Sequence, residues 1–240
     1  MTSMMLTQGL HVADWMRRTC RHTIGQWAGT PVELEDWQTE FLCEAFETDE
    51  HGDRVYQDVL LGLPRKNAKS TLASGVGLYL AGPDGEPGAQ VILGAPSREN
   101  TREVFDQARG FVDSSPSLQR SYQAERFVIY YQHPKTGRKG LIRRAAADGK
   151  TQYGTNPHGV VVDEVHGLLT ARQREAFTAW TSGSGARRNP FRLYITTAGY
   201  DLESVLGEMY LGAMRFDDVE ERRPGLVVAR DRDARFLMYW

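Results

Sequence analysis

Apolar residues recur along the chain at two spacings, and each spacing marks a kind of element. HVADWMRRTCRH at 11–22 sets Val12, Trp15, Met16 and Thr19/Cys20 on one face, which predicts an amphipathic helix. EDWQTEFLCEAF at 35–46 does the same with Trp37, Phe41, Leu42, Ala45 and Phe46. VYQDVLLGL at 55–63 is a short apolar run ending in a turn, a strand signal. A helix is expected over 70–81 with Leu72, Val76 and Leu80 inward, then a strand at AQVILGA, 89–95. SRENTREVFDQARGFV at 97–112 gathers Val104, Phe105, Ala108 and Phe111 on one side of a further helix.

RFVIYYQ and GLIRRAA flank the turn-like HPKTGRK at 133–139 and predict a hairpin. HGVVVDE at 158–164 is a continuous β-branched run, the pattern of a strand covered on both faces. A helix over 171–180, a strand at FRLYITTAG (191–199) and a helix at ESVLGEMYLGAM (203–214) follow. The chain closes on RFLMYW, an apolar, strand-like run. Strands alternating with helices imply an α/β fold, a mainly parallel sheet with helices on both faces.

Composition narrows the function classes. The chain has 240 residues, 40% hydrophobic and 25% charged, enough for one large domain. No apolar run approaches the roughly 20 residues of a membrane span. The first fifteen residues lack the charged and apolar regions of a signal peptide. Two cysteines, Cys20 and Cys43, form no metal-ligand spacing, so a reducing cytoplasm is the default. A net charge of -2 advertises no general affinity for nucleic acid. Basic clusters at 137–144, 185–188 and 221–223, each taken alone, read as solvated faces.

Two motifs carry chemistry. LPRKNAKSTLAS at 63–74 sits between a predicted strand and a predicted helix, where backbone N–H groups bind phosphate. It departs from G-x-x-x-x-G-K-[ST], the Walker A pattern, with Leu63 and Ala68 at the glycine positions. Lys69 would reach the β- and γ-phosphates and Ser70 would face Mg²⁺. An ordinary strand-to-helix turn would also carry such a lysine. VVVDE at 160–164, a Walker B pattern, follows. A buried strand ending in Asp-Glu places both carboxylates at the sheet's C-terminal edge, where open α/β sheets bind ligands. Asp163 would hold Mg²⁺, and Glu164 would orient and deprotonate the attacking water.

Together these blocks resemble the large terminase subunits of tailed double-stranded-DNA phages, over nearly the whole chain. CRHTIGQWAGTPVELEDWQTEF resembles the family's N-terminal lead, ending in an adenine-recognising Trp-Gln. The loop with an early basic residue, Arg65, resembles its variant phosphate loop, Pro64, Arg65, Lys66, Asn67, Ala68, Lys69, Ser70 and Thr71 here. YGTNPHGVVVDEVHGL resembles its hydrolysis strand, and WTSGSGAR with ITTAGYDLES its coupling region.

The resemblance implies a P-loop NTPase of the RecA-like, additional-strand catalytic-glutamate type. It implies catalysis by Glu164, Arg65 and Lys69, adenine recognition by Gln38, and coupling through Thr196, Thr197 and Ala198. Arg143, Arg144, Arg187 and Arg188 are candidates for an arginine acting across a subunit interface. Each role has a structural alternative: an ion pair for Arg65, an exposed helix glutamine for Gln38, a helix cap for the threonines, solvated faces for the arginines. His166 makes DEVH, a helicase-like string, and reads as structural.

The implied activity is Mg²⁺-dependent ATP hydrolysis that moves viral DNA into a procapsid in the host cytoplasm. The implied partners are double-stranded DNA, the portal protein, the small terminase subunit and further copies in a ring, a pentamer, with the isolated domain monomeric. A helicase-type ATPase and a nucleotide-binding assembly module with little turnover are the alternatives. The expected division is a lead segment 1–30, the ATPase domain 31–228, and 229–240 as the start of a connection to a nuclease domain, with no nuclease chemistry in these residues.

Overall fold

The computed structural model describes residues 6–148 and 156–240. Residues 153–155, the start of the block before the hydrolysis strand, lie outside the described residues. In chain order the helices are α1 Gly9–Thr19, α2 Asp36–Ala45, α3 Lys69–Ala81, α4 Arg98–Ser114, α5 Pro116–Gln119, α6 Ala171–Ser182 and α7 Val205–Ala213. The strands are β1 Asp58–Gly62, β2 Ala89–Ala95, β3 Tyr122–Ala124, β4 Val128–Gln132, β5 Lys139–Ala146, β6 Gly159–Asp163, β7 Phe191–Thr196, β8 Asp218–Arg223, β9 Leu226–Asp231 and β10 Phe236–Tyr239.

All these strands join one sheet in the order β3-β4-β5-β2-β6-β7-β1-β10-β9-β8. From β5 to β10 every neighbouring pair is parallel; the pairs outside that block are antiparallel. The period of two along the central strands divides the core. Val59 and Leu61 of β1, and Val161 of β6, face a core built with α1 to α4. Leu60, Val160 and Val162 face the other core, built with α6 and α7. This is why β6 reads as unbroken apolar sequence. Helix α3 is buried nearly all round, which matches its lack of a polar stripe.

Near the end of the chain, residues 236–239 belong to the sheet. They form β10, between β1 and β9, with Leu237, Met238 and Tyr239 buried by this chain's own elements. The boundary expected at 228/229 falls inside β9. The acidic and basic residues of 218–223 form β8. Arg222 and Arg230 tie the β8–β9 hairpin to α2 through Glu40 and the buried Glu44. The lead segment also belongs to the main core: Met16 of α1 lies where a side chain on Gly75 of α3 would be.

Candidate nucleotide site

β1 ends at Gly62, α3 begins at Lys69, and residues 63–68 turn between them at the C-terminal edge of the parallel strands. Pro64 to Ala68 are exposed, and Asn67 braces the turn by donating to the carbonyls of Pro64 (3.2 Å) and Arg65 (3.3 Å). Lys66 and Ala68 have φ of 68° and 54°, both left-handed. Ala68 therefore occupies a conformation that glycine adopts freely and alanine resists by about 1–2 kcal/mol. Alternating left- and right-handed residues turn successive N–H groups inward, a concavity that suits an anion. The first N–H groups of α3 add to it, since they have no partner within the helix.

Lys69 is buried although it is a lysine, and Ser70 and Thr71 follow it half-buried in the first turn. Lys69 Nζ lies 3.8 Å from Glu164 Oε1. Glu164 follows the last residue of β6 and is itself left-handed, with φ of 54°. Its N–H donates to Asp163 Oδ1 at 2.9 Å, which fixes the two carboxylates in different directions. Glu164 Oε2 lies 3.1 Å from His166 Nδ1. That contact, with help from Lys69, holds the Glu164 carboxyl below the usual range, so it is ionised at neutral pH.

Asp163 behaves oppositely. Burial, and then the Glu164 charge, push its carboxyl up to about 6. It makes no ion pair among the described residues. A desolvated carboxylate without an ion pair among the described residues is an oxygen donor that suits a hard dication such as Mg²⁺.

β7 lies between β1 and β6 and ends at Thr196. Thr196 and Thr197 are buried and Ala198 is exposed. Neither threonine caps a helix; Ser204 caps α7 instead. Thr196 touches both motifs. Its carbonyl accepts from the Leu63 N–H at 3.0 Å, and its hydroxyl accepts from the His166 N–H at 3.2 Å.

Gln38 is not the exposed helix glutamine of its structural alternative. It is buried rather than exposed, and its Oε1 accepts the Glu35 N–H at 2.9 Å, capping α2. Its oxygen is thus committed, and only the amide nitrogen is left for a base. Beside the loop is a cleft of about 400 Å³ lined by Trp37, Leu63, Pro64, Arg223, Tyr239 and Trp240, among others. Trp240 lies across Gly62, where a side chain would meet its ring at 2.1 Å. Sequence reasoning found Trp37 but missed Arg223 and Trp240, which only the sheet order brings to the loop.

The basic candidates separate. Arg65 is exposed and makes no ion pair among the described residues, so its structural alternative is not realised. Arg143 is exposed on β5, and Arg144 stacks 4.4 Å over the Phe127 ring. Arg188 pairs with Asp53 at 2.8 Å. Arg187 is not on a solvated face: it is largely buried, pairing with Glu86 at 2.7 Å and donating to the carbonyls of Asn156, Pro87 and Gly88. It clamps the loop before β2 through four donated hydrogen bonds.

The chain is similar to known proteins. Residues 36–214 match the family described as the ATPase domain of the terminase large subunit. Over 200 residues the chain is 30% identical to the large terminase subunit of Enterobacteria phage HK97, covering 80% of this chain and 37% of that protein. The crystal structure of the HK97 large terminase superposes with a TM-score of 0.66 at 24% identity, over 86% of this chain and 41% of that one. The large terminase ATPase domain of Thermus phage P74-26 superposes with a TM-score of 0.53 at 16% identity, over 87% and 85% of the two chains. The fold is that of RecA-like P-loop ATPases.

Proposed function

The chain belongs to the family of terminase large subunit ATPase domains, and from that premise we propose that it hydrolyses Mg²⁺-ATP to drive double-stranded viral DNA into a procapsid. The observation that carries this reading is the placement of Lys69 and Glu164, 3.8 Å apart at the mouth of the loop. A cation for the phosphates and an ionised base for the water meet at one point beside the loop.

The residues divide the work. The loop's N–H groups and Lys69 bind the triphosphate, Lys69 as a point charge. Glu164 accepts the proton of the attacking water, a role its ionised state allows. Arg65, exposed and without an ion pair among the described residues, adds positive charge where negative charge develops. Ser70 and Asp163 hold the metal, which when bound supplies charge neutralisation at the phosphate oxygens. The base lies in the cleft against Trp37, with the Gln38 amide nitrogen as a donor. Thr196 and Thr197 pass the state of the phosphates toward the parts that grip DNA. The chain spans 37% of the length of its HK97 relative, and the DNA, the portal, the small subunit and a ring of copies in the host cytoplasm are proposed as what the whole protein engages.

Steady-state hydrolysis by the purified chain, with and without the Glu164→Gln change, tests the reading. Loss of turnover with retained nucleotide binding supports it. Turnover at the unmodified rate in the variant overturns it.

A further inference from the structure

The stretch after β6 and the end of β7 meet through one side chain. β6 and β7 pair in parallel with Asp163 opposite Ile195, so the turn carrying Glu164 and His166 lies alongside Thr196. His166 is anchored there by its backbone, whose N–H donates to Thr196 Oγ1 at 3.2 Å. Its ring nitrogen Nδ1 lies near three oxygens: it is within hydrogen-bond geometry of Thr196 Oγ1 at 3.2 Å and Thr197 Oγ1 at 3.4 Å, and it is 3.1 Å from Glu164 Oε2, a buried oxygen that has no hydrogen-bond partner among the described residues.

Nδ1 carries at most one proton, so it donates to one of these oxygens at a time. The Thr196 hydroxyl proton is already given to the Thr197 carbonyl at 2.7 Å, which leaves that hydroxyl as an acceptor. A small ring rotation therefore exchanges donation to the base for donation to the threonine pair. Glu164 is held in a left-handed conformation, which persists only where its surroundings enforce it. The segment beyond Thr197 runs beside His166: a side chain on Gly199 would meet the His166 Cβ at 3.3 Å.

We propose that His166 is a positioning residue that links Glu164 to the Thr196–Thr197 segment by a two-position hydrogen bond from Nδ1. In one position it holds Glu164 Oε2 and leaves Oε1 turned toward Lys69. In the other it holds the threonines and releases the carboxylate. A shift of the 196–199 segment thus changes the aim of the base without touching nucleotide. This inference rests on Glu164 acting as the base.

The test compares His166→Asn, whose amide nitrogen takes the place of Nδ1, with His166→Leu, which keeps bulk and loses the donor. In ATP hydrolysis, His166→Leu lowers kcat by about tenfold, the size of one lost coupling between contacting groups. KM changes by less than about twofold, because no nucleotide contact is removed. His166→Asn recovers most of the loss. Thr197→Val adds little to His166→Leu, since both cut the same link. Equal loss in the Asn and Leu variants, or losses that multiply in the double variant, overturn the proposal. A second readout needs no turnover: the imidazole ¹⁵N resonances of His166 move in both Glu164→Gln and Thr197→Val. If either change leaves them in place, the link does not exist, even where hydrolysis is intact. If Glu164→Gln turns over normally while the resonances move as stated, the link stands and the assignment of the base is what fails.

Discussion

Lys69 Nζ and Glu164 Oε1 stand 3.8 Å apart, one from the first turn of α3 and the other from the residue after β6. The pair makes two expectations separable. Glu164→Gln keeps the shape and loses the proton acceptor, so hydrolysis falls by at least ~10²-fold while ATP still binds. Lys69→Ala removes the point charge, so binding itself weakens. Fluorescent-nucleotide titration alongside phosphate release tells the two apart.

Ala68 is left-handed at φ 54°. Ala68→Gly relieves that strain but adds freedom to the unfolded chain, so it is neutral or stabilising by up to about 1 kcal/mol. Ala68→Val, β-branched in the same conformation, is destabilising. Urea unfolding of the three proteins checks the order, and nucleotide affinity follows the same ranking.

The raised Asp163 carboxyl has a definite sign. Between its ordinary 3.8 and about 6 the folded protein binds more protons than the unfolded chain, so this group lowers stability as pH rises through that window. Asp163→Asn removes a cost of up to about 3 kcal/mol at pH 7, from about 1.4 kcal/mol per unit. Glu164, held below its ordinary value, acts the other way; its contribution is present at neutral pH and lost on acidification. The Asn variant is thus more stable than the parent at pH 7 in the absence of metal, yet inactive. Unfolding curves from pH 4 to 8 without magnesium decide it.

Arg187 and Arg143 predict opposite phenotypes. Arg187→Ala strips four partners from a buried clamp and destabilises the fold by about 2 kcal/mol or more. Arg143→Ala, on an exposed strand position, changes stability by less than about 0.5 kcal/mol. If Arg143 serves a neighbouring copy, specific activity rises with protein concentration in the parent and not in the variant. Thermal unfolding and a dilution series read both.

Local pattern alone determined most of the elements and both motifs. β2 was legible to the residue at 89–95, and β6 was legible because unbroken β-branched sequence suits only a strand covered on both faces. The loop was legible because its lysine and hydroxyl residues open a helix directly after a strand. Sequence also showed that Ala68 stands at a glycine position of the pattern, while its left-handed φ came only with the structure.

Tertiary structure decided what depends on sheet order, which no local spacing encodes. It placed β10 beside β1, so an apolar end that looked unfinished became a covered strand and brought Trp240 to the loop. It turned Gln38 inward to cap α2 and fastened Arg187 to the loop before β2. It set His166 against Glu164 and Thr196, a meeting that exists only because β6 and β7 are neighbours in one register. Periodicity reports which face of an element is apolar; which element covers that face is settled by long-range pairing, and the polar contacts of the site form wherever that pairing brings strand ends together.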